Sequence, residues 1–265
     1  MQDEPTEPTE TPVENAGDDD SEELIANPLK RLAMVIFSPN LVFESVAAKS
    51  TRWDWILPLC LSLVISLLVV NIGYDYLKND QIEAARNRIE NNTKLTDDQK
   101  TAALGQIEAQ IEKMAGFTRI ITNVSSVAGL FVFFAVIALV IRAVAAFMLH
   151  GRISFRDAFT VCALGSVISM AGSVIKVPLI FYFESFAQAK LSIGFLFPEE
   201  MQESFIVKLL DFDLFTLWYL VIISIGMAVF VKTSLKRTLV PMAVLWIAYR
   251  IATQVITGIL GGLGS

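Results

Sequence analysis

The chain has 265 residues, 54% of them apolar and only 18% charged, with a mean hydropathy of +0.56. Soluble domains carry about a quarter charged residues, so a purely soluble chain is excluded and the apolar surplus must lie in blocks long enough to enter lipid. The net charge of −6 hides two unlike parts, because residues 1–23 hold ten acids and no base while the rest has 17 acids against 21 bases, and neither part carries the clustered Lys/Arg of a nucleic-acid binder.

In chain order, residues 1–26 read as a disordered acidic tail. Glu, Asp, Pro and Thr there cannot bury enough surface to offset ordering entropy. The tail lacks the basic start and apolar run of a secretory signal. It is either a docking tail for a basic partner or a solvated end. The remainder, 27–265, reads as one membrane domain.

Residues 27–52 predict two short helices in the membrane interface. Asn27 with Pro28, and Ser38 with Pro39, are start signals. Leu29, Leu32, Ala33, Ile36 and Phe37 share a helical face, and Lys30 and Arg31 lie off it. Trp53 and Trp55 then fit an aromatic belt.

Five spans follow, at about 55–74, 124–149, 158–175, 212–231 and 239–260. Each is long enough for about 30 Å of hydrocarbon, and a helix leaves no backbone group unpaired there. The fold class expected is therefore all-α, a polytopic membrane helix bundle with about five transmembrane helices. Between the first two spans, residues 75–121 predict an extramembrane helical hairpin. Thr96 is a cap with Asp97 and Asp98 in the first turn, and Leu104, Ile107, Ile111 and Met114 space by three, four and three. The third span is rich in small residues, including Gly165, Ser166, Ser169, Gly172 and Ser173. It reads as the packed centre of the bundle, or as the lining of a polar path.

Lys/Arg in the short loops set the orientation. Lys30, Arg31, Lys49 and Arg52, then Arg152 and Arg156, then Lys232, Lys236 and Arg237 all fall on one side if the N-terminus is cytoplasmic. The C-terminus is then outside.

No catalytic constellation is visible, and no enzyme, cofactor or metal is implied. Cys60 and Cys162 fall in apolar runs and read as packing residues. The lone His150 sits at a membrane edge. The costly residues are the intramembrane bases. Arg250 lies near mid-span with Gln254 one turn away. It is either a site for an anionic lipid or solute, a partner of Asp211 or Asp213, or a structural donor. Arg142 is close enough to its span end to snorkel.

The run Asp211-Phe212-Asp213-Leu214-Phe215-Thr216-Leu217-Trp218, leading to Gly226, resembles the fourth-span signature of bacterial-type Yip proteins. These are relatives of the Ypt/Rab-interacting integral membrane family. Phe37-Ser38-Pro39 with Phe43, ending in Trp53, Trp55 and Pro58, resembles that family's start. The resemblance implies the five-span architecture with a helical insertion. The Asp-Leu-Tyr-Gly-Pro type motif of the GTPase-binding eukaryotic members is absent, so no GTPase partner is carried over. Two functions follow. One is a non-enzymatic protein that organises protein or lipid partners in a bacterial-type inner membrane. Its partners would be membrane lipids and a protein held at the hairpin or the N-terminal segment, with no nucleic acid and with homo-oligomerisation open. The other is a small transporter or channel for an anionic solute, using Arg250 and Arg142.

Overall fold

The computed structural model describes residues 24–189, 191–192 and 213–262, with side chains described to residue 256. The described helices are α1 (Pro28–Met34), α2 (Pro39–Ala48), α3 (Trp53–Ile72), α4 (Tyr74–Glu90), α5 (Asp97–Ala143), α6 (Phe155–Phe183), α7 (Leu214–Val231) and α8 (Leu235–Gly262). A π-helical turn, Val144–Met148, ends α5. Among the described residues, five helices are long and apolar enough to cross a membrane. The protein is an all-α membrane helix bundle. Beyond one isolated bridge between Ser192 and Asp213, the described residues hold no β pairing.

Helix α6 is the centre. It packs on α3, α5 and α7, and its small residues allow close approach. A Cβ on Gly165 would meet Tyr219 and Ile223 of α7, and one on Gly172 would lie 2.7 Å from Phe215. Gly226 of α7 answers from the other side, facing Val161 and Phe43. The Ser62 and Ser166 hydroxyls join α3 to α6 at 2.9 Å, and Thr238 Oγ1 donates to the Ser224 carbonyl to join α8 to α7. Helix α6 also runs past the end expected at Ile175. Pro178 lies inside it, and Phe183 is its last residue. A proline removes one helical hydrogen bond, and packing against neighbouring helices compensates for that in a span.

Helix α5 runs unbroken from Asp97 through the span expected to begin at Val124. The hairpin and the second span therefore share one rigid rod. Its start carries a full capping box, Thr96 with Gln99. Across the hairpin, Lys78 pairs with Glu112 at 3.1 Å and Arg86 with Glu108 at 2.8 Å. The Glu108 carboxylate holds the Arg86 guanidinium above its ordinary range. Tyr74 donates to the Ala115 carbonyl at 2.6 Å, and Arg119 Nε donates to Asn71 Oδ1 at 2.9 Å. These bonds stitch the hairpin base where it meets the bundle.

The N-terminal helices differ from the expected arrangement. The face bearing Arg31 turns inward, while Leu29 and Phe37 of the expected apolar face are 61% and 83% exposed. Helix α2 packs on α7 and buries Val42, Phe43 and Val46. The reason is a buried ionic clasp. Arg31 is 2% exposed and Asp54 is 1% exposed. Arg31 Nη1 donates to both Asp54 oxygens at 2.9 Å and to the Lys49 carbonyl at 3.1 Å. Its Nη2 donates to the Ser45 carbonyl at 2.9 Å, and its Nε to the Ile25 carbonyl at 2.7 Å. Asp54 Oδ2 also accepts from the Thr51 amide and hydroxyl. The packed body thus reaches back past the expected boundary at Ala26, since Ile25 is buried and its amide donates to Ser45 Oγ.

Candidate functional site

Chain direction places the turn between α3 and α4, the C-terminus of α6, the N-terminus of α7 and the C-terminal half of α8 at one end of the bundle, with the hairpin. A cavity of about 700 Å³ opens there between α6, α7 and α8. Its described charged groups are Lys176, Asp213 and Arg250, and Ser169, Ser173 and Gln254 add hydroxyls and an amide.

Each group is placed by local structure. Ser169, Ser173 and Lys176 recur by four and three on α6 and so share a face. Ser173 Oγ donates to the Ser169 carbonyl. Asp213 is the N-cap of α7, and its Oδ1 accepts from the Phe215 amide at 2.7 Å. Arg250 and Gln254 stand four apart on α8. The Lys176 ammonium sits 4.3 Å from the centroid of the Phe186 ring. Phe186 also covers Gly73, whose added Cβ would lie 2.8 Å from it. The Phe186 and Ala187 amides both donate to Asp80 Oδ2 of the hairpin, at 2.8 and 2.9 Å. One turn, residues 184–189, therefore connects the hairpin base to the cavity rim.

Two cations and one carboxylate give the described wall a surplus of one positive charge. Partly desolvated cations of this kind hold an anionic group better than they would in water. The Ser169 hydroxyl and the Gln254 amide are suited to its oxygens, whereas the Ser173 hydrogen is already given to the Ser169 carbonyl.

The sequence-derived residues divide. Arg250, Gln254, Asp213 and Phe215 meet at the cavity. Arg142 does not. It is exposed in the last turn of α5, near the opposite end of the bundle, so the two intramembrane arginines do not converge on one path. Ser38 precedes α2 without a side-chain capping bond, and Pro39 begins that helix. Leu214 and Trp218 face outward, and Gly226 is a packing contact. Asp211 lies outside the described residues, as do 1–23 of the expected acidic tail. Sequence reasoning missed Lys176 as a cavity group, because it stands at the expected end of a span and reads as interfacial. It also missed Arg31 and Asp54. The one sequence signal for that pair was a lone carboxylate flanked by two tryptophans at the mouth of an apolar run.

A family model of the Yip1 domain matches residues 33–256. Neither a curated protein nor a solved structure matches the chain.

Proposed function

The chain belongs to the Yip1-domain family, and on that premise we propose that it is a non-enzymatic membrane protein that organises protein or lipid partners in a bacterial-type inner membrane. The N-terminus faces the cytoplasm and the hairpin and C-terminus face outward, on the Lys/Arg distribution of the short loops. The observation that carries the reading is the bond from Asp80 to the 184–189 turn. It joins an extramembrane helical surface, through Asp80 of α4, to the turn at the rim of a polar cavity. A partner on the hairpin and an anionic group in the cavity would therefore be held by one connected structure. A photo-crosslinking residue at Asn87 or Gln106, both exposed on the hairpin, is expected to capture one stoichiometric protein in native membranes. Recovery of the chain alone, or crosslinked only to itself, sinks the protein-partner reading.

The cavity favours a second reading, transport of an anionic solute past Arg250 alone. It requires anion flux in proteoliposomes that Arg250→Leu abolishes, because that change removes the cation that would stabilise the anion. Flux no greater than in empty vesicles removes it.

A further inference from the structure

At the opposite end of the bundle, where α3 and α6 both begin, a second pocket of about 860 Å³ opens beside the aromatic belt. Arg52 and Arg156 stand on its rim, and Trp53, Trp55, Phe155 and Phe159 form its wall. The wall is a connected aromatic surface, with Trp55 edge-on to Phe159 at 5.9 Å and Phe155 against Phe159 at 6.0 Å. From these observations we propose that this pocket binds the phosphate headgroup of an anionic membrane lipid, with an acyl chain lying along α3.

Charge is the first ground. Neither arginine takes part in an ion pair among the described residues. The acids nearest to them in sequence are already engaged. Asp54 is held by Arg31, and Asp157 accepts from Ser154 Oγ at 2.6 Å. The charged groups lining the pocket are thus Arg52 and Arg156, and Asp157 keeps its negative charge outside that lining. Two long helices start here, but each carries an acid in its first turn, Asp54 in α3 and Asp157 in α6, so the positive charge comes from the arginines and not from the helix ends. The second ground is an orphan hydroxyl. Ser50 is among the residues that line this pocket, and its Oγ is buried beside it with no hydrogen-bond partner among the described residues. A buried hydroxyl without a partner is costly, and a phosphate oxygen would satisfy it.

The third ground separates a lipid from a free phosphate. Trp53, Leu61, Val64 and Leu68 are exposed on α3, and their spacing of eight, three and four places them on one face. That face continues from the charged rim into the apolar zone. A phosphate with acyl chains fits both parts, and inorganic phosphate uses only the rim. The inference deepens the lipid half of the proposed role and rests on it. It does not involve the hairpin or the cavity at the other end.

The test uses the full chain in phosphatidylcholine vesicles containing spin-labelled phosphatidylglycerol or spin-labelled phosphatidylcholine. The readout is the motionally restricted lipid fraction. The native chain is expected to prefer phosphatidylglycerol by roughly fivefold or more, in line with the attraction of basic side chains to anionic lipid. The double variant R52Q/R156Q should lose that preference, and R52K/R156K should keep most of it. Both arginines are exposed, so the variants are expected to fold, and an unchanged hairpin crosslinking pattern checks this. Equal restriction of the two lipids by the native chain overturns the proposal. So does a preference that survives R52Q/R156Q. Displacement of the labelled lipid by millimolar inorganic phosphate would instead assign the site to a soluble anion and overturn the lipid assignment. In each of these cases a partner captured at Asn87 or Gln106 would stand unaffected, so the two readings fail separately.

Discussion

Replacing Asp54 by Ala is expected to destabilise the protein by about 3–5 kcal/mol, the usual cost of stripping one partner from a buried ion pair. The magnitude follows from what remains. Arg31 would keep its bonds to the carbonyls of Ile25, Ser45 and Lys49, but its full charge would stay buried with no counter-ion. Arg31→Ala should cost a similar amount, since it leaves the Asp54 carboxylate buried with only Thr51 as donor. It would also release three backbone carbonyls that tie Ile25, α2 and the start of α3 together. The double replacement Arg31→Leu/Asp54→Leu should cost much less than the sum of the two single changes, because no charge is left unpaired. Unfolding of the purified protein in mixed micelles, read by helical circular dichroism, would measure all four proteins. A loss below about 1 kcal/mol in both single variants would mean that water reaches the pair. The clasp would then not be what seats α1 and α2 on the bundle.

Gly226→Ala is expected to destabilise by about 1–3 kcal/mol, the cost of overpacking a filled interior. A methyl there would lie 2.6 Å from Val161 Cγ1 and 3.1 Å from the Phe43 ring. Val161 and Phe43 are fully buried, and a β-branched side chain has little rotamer freedom with which to yield. Helix propensity works in the opposite direction, since Ala is favoured over Gly by about 0.5–1 kcal/mol in a helix. Packing wins at Gly226 and propensity wins at Gly129, where an added Cβ would meet nothing within 4 Å. Gly129→Ala should therefore be neutral or slightly stabilising in the same unfolding assay. Equal effects at the two glycines would show that α2, α6 and α7 are not in close contact through Gly226. The contact matters for function because α7 carries Asp213 and Phe215 into the cavity, and α6 carries Lys176.

The candidate site was legible only in part. Arg250 and Gln254 stood out because a base within an apolar run is expensive anywhere in lipid, whatever surrounds it. Asp213 was legible as one of two acids beside a span start. That it shares a cavity with Arg250 is a tertiary fact, since the two lie on different helices. Lys176 was hidden because Pro178 reads as a helix end, whereas packing against the bundle carries α6 through it to Phe183. Arg31 was misplaced for a related reason. Its neighbours Leu29 and Phe37 define the more apolar face, and amphipathic patterning sends a lone cation to water. Five hydrogen-bond acceptors from residues 25 to 54 reverse that outcome, and none of them lies on Arg31's own helix.

Length and hydropathy alone mark this chain as a helical membrane bundle, with five segments able to cross and a hairpin between the first two. The reason is that hydrocarbon offers no partner to a backbone N–H or C=O, so any apolar run of sufficient length must satisfy its own groups as a helix. How those helices turn about their axes is set by packing between distant parts of the chain. Within a span nearly every position is apolar, so periodicity is too weak to mark the inward face. That choice falls to a few contacts between distant residues: glycines that admit Val161 and Phe215, the clasp of Arg31 on Asp54, and the Asp80 carboxylate that holds the turn beside Lys176.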